Sequence, residues 1–169
     1  LKIAAVLFLL LEVIALEAAG ADDSSDGPMQ VIDAEEILGK VQKGQPVEYD
    51  HVVVRGDLDL SRERLQKNVT SPIRINDSMF IGLVSFNGTT FENPIDLSSS
   101  NFIRDGYFMA AAFIGDANFD RAIFSGDANF GFEEILFEDD LYLLSATFSG
   151  DANFEEAVFG GDANFMGAV

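Results

Sequence analysis

From residue 80 onward a large apolar side chain recurs at alternating steps of six and five residues. The positions are Phe80, Phe86, Phe91, Leu97, Phe102, Phe108, Phe113, Phe119, Phe124 and Phe130. After a two-residue insertion near Gly131–Glu134 they resume at Phe137, Leu143, Phe148, Phe154, Phe159 and Phe165. Two residues before each rung the side chain is mostly small: Ser78, Thr89, Ser100 and Gly106, then Ala111, Ala117, Ala122, Ala128, Ala146, Ala152, Ala157 and Ala163. Val84, Ile95, Ile135 and Leu141 are the larger exceptions. Residues i−2 and i of an extended strand face the same side. Small-x-large therefore predicts an interior layer in which the small residue leaves room for a ring. The residue between them is polar at many rungs, as at Asn118, Asn129, Asn153 and Asn164, and is predicted to face outward. The spacing lacks a 3.6-residue period and Gly recurs along it, which excludes an amphipathic helix.

The repeat is nearly verbatim in Phe-x-Gly-Asp-Ala-Asn-Phe at 113–119, 124–130, 148–154 and 159–165. Val54-Arg55-Gly56-Asp57-Leu58-Asp59-Leu60 matches the same frame with aliphatic residues for Phe, and Val69, Ile73 and Ile75 continue it. Residues 61–68 do not fit and predict an outward loop. Short units repeated in tandem predict a solenoid, because each unit buries its apolar face only against its neighbours.

This unit resembles that of the pentapeptide-repeat family, roughly Ala-(Asp/Asn)-Leu-x-x with two inward positions, over residues 52–169. The resemblance implies an all-β solenoid: a right-handed quadrilateral parallel β-helix with one unit per face. The chain departs from the family in using Phe for Leu and in alternating five with six. Four faces then take twenty-two residues rather than twenty, the extra residue falling at the Gly-Asp corner. A triangular or two-faced coil is the structural alternative. Rungs 80–165 make four coils and 52–75 about one more, a rod of roughly 25 Å at about 4.8 Å per coil. The sixteen rungs form its core ladder, Phe stacked on Phe.

Ahead of the repeat, residues 1–21 read as a signal peptide or hydrophobic leader. Lys2 supplies positive charge, Ile3–Leu11 is an apolar run, Glu12 interrupts it, and Ala19-Gly20-Ala21 offers small cleavage residues. An acidic linker over 22–32 follows. Asp33-Ala34-Glu35-Glu36 has the form of an N-cap, with Ile37, Leu38 and Val41 on one helical stripe and Gly44 and Pro46 ending it. A capping helix is thus predicted over 33–44 and the β-helix over 45–169. The chain opens on Leu and stops one residue before the next rung, so the natural protein is expected to continue.

Composition narrows the function. No Cys is present among 169 residues, which removes disulfides, thiolate metal sites and cysteine nucleophiles. The single His, His51, leaves little for acid–base chemistry and is expected to be structural or exposed. The net charge of −19 excludes direct nucleic-acid binding, which needs a basic face. Fourteen of the sixteen Phe are rungs, so the aromatic excess is structural. Beyond residue 80 only Arg104 and Arg121 are basic, so the rod is acidic and the cap end mixed.

Stacked coils would align Asp105, Asp127 and Asp151 at one corner and Asp116, Asp140 and Asp162 at the opposite one. Oxygen-rich columns are candidate Ca²⁺ ligands, although Gly-Asp is also ordinary turn chemistry with Asp bonding the local backbone. Glu133-Glu134, Asp139-Asp140 and Glu155-Glu156 imitate acid–base pairs but are expected as solvated surface charge. No catalytic residue and no cofactor is predicted. Asn68-Val69-Thr70, Asn76-Asp77-Ser78 and Asn87-Gly88-Thr89 match the N-glycosylation pattern.

These features predict a non-enzymatic, exported scaffold or binding module that presents acidic faces to proteins or the cell envelope. Attachment to a membrane would come only through an uncleaved leader or a further C-terminal domain. End-to-end self-association through the last coil is a further expectation. The resemblance also implies an alternative: some members of the family are acidic rods that mimic DNA in the groove of type II topoisomerases.

Overall fold

The computed structural model describes residues 27–62, 67–131 and 135–169. The expected leader, and the Glu133-Glu134 pair, lie outside the described residues. The chain divides into two units, Leu1–Gln30 and Val31–Val169, and the second carries the repeats.

Four parallel sheets form the walls of a solenoid among the described residues. Face I stacks β1 (Gln30–Asp33), β3 (Val52–Arg55), β7 (Met79–Phe80), β11 (Asn101–Phe102), β15 (Ile123–Phe124) and β19 (Thr147–Phe148). Face II stacks β4 (Leu58–Asp59), β8 (Val84–Ser85), β12 (Gly106–Tyr107), β16 (Ala128–Asn129) and β20 (Ala152–Asn153). Face III stacks β5 (Asn68–Val69), β9 (Thr90–Phe91), β13 (Ala112–Phe113), β17 (Leu136–Phe137) and β21 (Val158–Phe159). Face IV stacks β2 (Val47–Asp50), β6 (Ile73–Asn76), β10 (Ile95–Asp96), β14 (Ala117–Asn118), β18 (Leu141–Tyr142) and β22 (Ala163–Asn164). The chain visits I, II, III and IV in turn, so each coil has four sides, and the triangular alternative is ruled out.

Register follows the ladder. Phe80, Phe102, Phe124 and Phe148 are successive partners on face I, and Phe91, Phe113, Phe137 and Phe159 on face III. The face I rings stack at 4.9, 4.6 and 5.1 Å with planes within 6° of parallel. Those on face III stack at 5.1, 5.0 and 5.4 Å. Phe108, Phe130 and Phe154 stack similarly, at 4.4 and 4.7 Å. Neighbouring columns meet edge to face, as Phe108 does Phe124 at 87°. Both arrangements suit the ring quadrupole. Phe119 sits between Leu97 and Leu143 in its column, so it tilts against rings of the adjoining faces instead of stacking.

The small partners are where the pattern places them. Ala111, Ala117, Ala122, Ala128 and Ala146 are all at most 1% exposed. Gly106 shows why size matters: a Cβ there would lie 2.8 Å from the Phe108 ring. Rungs Phe80 through Leu143 are buried. The ladder expected as core is corrected at its end. Phe148 and Phe154 are only partly buried, and Phe159 and Phe165, in the last described coil, are 37% and 39% exposed.

One boundary differs from expectation. Strand β1 starts at Gln30, inside the stretch expected as linker, and lies beside β3 with Ile32 buried. The helix α1 spans Ala34–Gln42, within the 33–44 segment expected to cap the coil, with Asp33 and Lys43 as its cap residues. It covers the open top of the first coil through Ala34, Ile37, Leu38 and Val41. Asp33 occupies the N-cap position without a side-chain capping bond. Its carboxylate instead accepts both a 2.8 Å and a 3.0 Å bond from Arg55. A bidentate guanidinium outcompetes a backbone N–H for the same oxygens.

Candidate functional site

Each coil has two kinds of corner. At one kind the chain bends from one face to the next in a tight turn whose third residue has positive φ. The non-glycine examples are His51, Asp77, Ser99, Ala110, Arg121, Ser145 and Glu156, with φ between 45° and 62°. Ala111, Ala122, Ala146 and Ala157 close most of these turns with 3.0–3.1 Å bonds to the carbonyls of Phe108, Phe119, Leu143 and Phe154. This is type II turn geometry. The outward Asn residues help to hold it. Oδ1 of Asn118, Asn153 and Asn164 accepts the N–H two residues on, at 2.9, 2.8 and 3.0 Å. Position in the repeat marks these Asn as solvent-facing and gives no sign of their turn-forming role.

The Gly-Asp corners are the other kind, and they carry the acidic columns. Asp105, Asp127 and Asp151 run along the edge between faces I and II. Asp116, Asp140 and Asp162 run along the diagonally opposite edge, between III and IV. Here the structure corrects the expectation of a local turn bond. Asp105 Oδ1 accepts the N–H of Asp127 at 3.1 Å, and Asp127 Oδ1 that of Asp151 at 3.0 Å. In the other column, Asp116 Oδ1 takes the Asp140 N–H at 3.3 Å and Asp140 Oδ1 the Asp162 N–H at 2.8 Å. Every bond thus runs from one coil to the next. Asp57 does the same for Leu83 at 2.9 Å. Pro72 and Pro94 hold the corresponding corners above Asp116, where proline has no N–H to satisfy.

One oxygen of Asp105, Asp127, Asp116 and Asp140 is therefore tied to the next coil. The other is open to solvent or to tyrosine: Tyr107 donates to Asp105 Oδ2 at 3.2 Å and Tyr142 to Asp140 Oδ2 at 2.9 Å. The Asp162 N–H, and then the Tyr142 hydroxyl, hold the Asp140 carboxyl below the usual range. That contribution to stability is present above the ordinary carboxylate value and is lost as pH falls through the lowered one.

The same contacts act in reverse on the phenols. Hydrogen bonding to Asp105 raises Tyr107 and hydrogen bonding to Asp140 raises Tyr142. Tyr49 is raised first by burial and then by its 2.5 Å bond to Glu36, although Lys40 lies 4.2 Å from its ring centre. A raised phenol favours the fold below the ordinary value of about 10 and loses that contribution as pH rises through the shifted value. All three tyrosines of the chain are affected, and no Trp obscures them. Ultraviolet titration is expected to show no phenol ionising at the ordinary value in the folded protein, and three doing so in urea. A folded-state midpoint at the ordinary value for any one of them would contradict this.

Among the described residues, no group of three or more His, Asp or Glu converges as a metal-binding set. The six candidate Ca²⁺ ligands form two rows along the rod and do not enclose a point. Asp139-Asp140 and Glu155-Glu156 lie on the outside of a convex surface. His51 lies at a φ of 54° with Nδ1 2.9 Å from Asp77 Oδ2. An open depression at the cap end is lined by Glu48, Tyr49, Asp50 and Arg74, with no nucleophile–base pair. No helix among the described residues is long and apolar enough to cross a membrane.

Between the acidic edges, the outward row of face I is Met79, Asn101, Ile123 and Thr147, and that of face III is Thr90, Ala112, Leu136 and Val158. Neither row carries a charge. At the cap end, by contrast, charges are paired: Arg62 with Glu35 at 2.5 Å and with Asp59 at 3.8 Å, and Lys40 with Glu36 at 3.8 Å.

Flat walls, stacked corner rows and a capped end define a four-sided parallel β-solenoid used as a repeat scaffold. The chain belongs to the pentapeptide-repeat family: the family model described as pentapeptide repeats (9 copies) matches residues 76–131 and 132–169. No curated protein and no solved structure matches it.

Proposed function

We propose that this chain is an exported, non-enzymatic binding module whose acidic corners and uncharged walls engage a cationic partner, either a protein or a cell-envelope component. The observation that carries this reading is the anchoring of Asp105, Asp127, Asp116 and Asp140 in the corner rows. A carboxylate bonded through Oδ1 to the next coil is held in place before any partner arrives, and a pre-ordered charge loses little entropy on binding. The repeat sets the spacing of the row and the uncharged wall beside it offers flat contact.

The anchoring also supplies the test. Asn retains the Oδ1 acceptor and loses the charge, so the triple variant Asp105→Asn/Asp127→Asn/Asp151→Asn is expected to melt within a few degrees of the parent. Binding to a lysine-rich surface or to isolated cell envelopes should be salt-sensitive in the parent and about tenfold weaker in the variant, roughly 1.4 kcal/mol. Equal binding by both proteins, or binding indifferent to salt, would exclude the rows as the contact.

The second reading, mimicry of DNA on a type II topoisomerase, is favoured by the placement of two acidic rows on opposite edges. It requires a cytoplasmic protein and therefore conflicts with export. Inhibition of supercoiling by the parent but not by the triple variant would make it the better account.

A further inference from the structure

The three Asn-x-Ser/Thr triplets look alike in the sequence, and the fold separates them. Asn68-Val69-Thr70 runs through β5, the outermost strand of face III. Asn68 and Thr70 are both exposed, while Val69 between them is 1% exposed and points into the core. The acceptor amide and the hydroxyl thus share the outer side of one strand. Asn68 Nδ2 donates a long 3.3 Å bond to Glu92, itself exposed.

The other two are built into the coil. Asn76 Nδ2 donates to Asp96 at 3.0 Å, across to the next coil. Its Ser78 is 2% exposed, with the hydroxyl donating to the Asn76 carbonyl at 2.5 Å and accepting the Val52 N–H at 3.1 Å. Asn87 Oδ1 accepts the Met109 N–H at 2.9 Å, and Thr89 is wholly buried. A sugar on Asn76 Nδ2 would displace its bond to the next coil, and Asn87 is half-buried, its amide held by the Met109 N–H and its Thr89 closed off from solvent.

We propose that Asn68 is an N-glycan acceptor and that Asn76 and Asn87 are not. The inference rests on the export reading above. The transfer forms a C–N bond between Asn68 Nδ2 and the anomeric carbon of an oligosaccharide held on a polyprenyl diphosphate. The sugar–phosphate C–O bond breaks, the diphosphate leaves with its lipid, and one Nδ2 proton passes to solvent. The glycan would stand on β5, the end strand of face III among the described residues, and end strands otherwise invite association. It would sit at the cap end and leave the acidic rows uncovered.

The full chain should be produced in a eukaryotic secretory host in two forms, with its own N-terminus and behind a host leader. Secreted protein is treated with peptide-N-glycosidase, which converts a glycosylated Asn to Asp, and its peptides are weighed. Conversion at Asn68 alone is expected. The glycan should be lost in Asn68→Gln and also in Thr70→Ala, whose exposed side chain is dispensable for folding. Unmodified Asn68 in the folded, secreted host-leader form, or a glycan at Asn76 or Asn87, would overturn the proposal. Failure of only the native form to be secreted would count against export, while the host-leader form still decides the site.

Discussion

Phe124→Ala is expected to destabilise the solenoid by about 3–5 kcal/mol. Phe124 is fully buried and stacks on Phe102 at 4.6 Å and Phe148 at 5.1 Å. It also meets the edges or faces of Phe108, Phe119 and Phe130 at 6.3, 6.0 and 6.2 Å. The void left by the ring cannot collapse, because those neighbours are fixed by the parallel ladders of four walls. Two stacked contacts, each about 0.5–1.5 kcal/mol beyond burial, go with it. In a solenoid stability is a sum over adjacent coils, so the coils on both sides of Phe124 should lose protection together. Hydrogen exchange and a urea melt followed by circular dichroism read this. Phe159→Ala, at a ring 37% exposed, is the comparison and should cost much less. Equal losses from the two substitutions would mean that the stacked column is not what holds the rod.

Gly126→Ala should also destabilise, by about 1–3 kcal/mol or more. Its Cβ would stand 2.4 Å from Asp105 Oδ1, 2.7 Å from Asp105 N and 2.8 Å from Arg104 C. The obstacle is the backbone of the preceding coil, which cannot rotate away as a side chain can. Relieving it would prise the coils apart where Asp105 holds the Asp127 N–H. Glycine is needed here for close approach. Gly39 makes the contrast: it lies in α1, and a Cβ added there would have nothing within 4 Å. Gly39→Ala should stabilise by about 0.5–1 kcal/mol through helix propensity. Thermal melts of the two variants should therefore shift in opposite directions. A neutral Gly126→Ala would show that the corners have slack.

Much of the fold was legible because the inward positions repeat with the coil. Ala122-Ile123-Phe124 and Ala146-Thr147-Phe148 differ at the outward residue and agree at both inward ones, and they prove to be successive strands of one wall. Strand β1 was not legible. Gln30–Asp33 lies outside the repeat, and nothing local marks it as a strand until β3 offers it an edge. Asp33 likewise reads as a helix cap until Arg55, twenty-two residues on, is brought beside it.

The candidate site divides in the same way. Which Asp residues form columns follows from counting residues per coil. Where their oxygens point does not, because Asp105 could equally serve its own turn. The choice of the Asp127 N–H depends on the coil-to-coil separation and on Gly126 allowing that approach.

The sequence alone thus determined the period, the inward and outward alternation, the apolar ladder and the acidic exterior, all consequences of strand geometry and side-chain transfer free energy. Only the tertiary structure decided what the outward polar groups do. It made corner carboxylates into links between coils, turned Asn side chains into turn braces, and left one glycosylation triplet open while closing two. Those outcomes depend on which backbone groups the stacking leaves unpaired, and stacking joins residues about twenty or more positions apart.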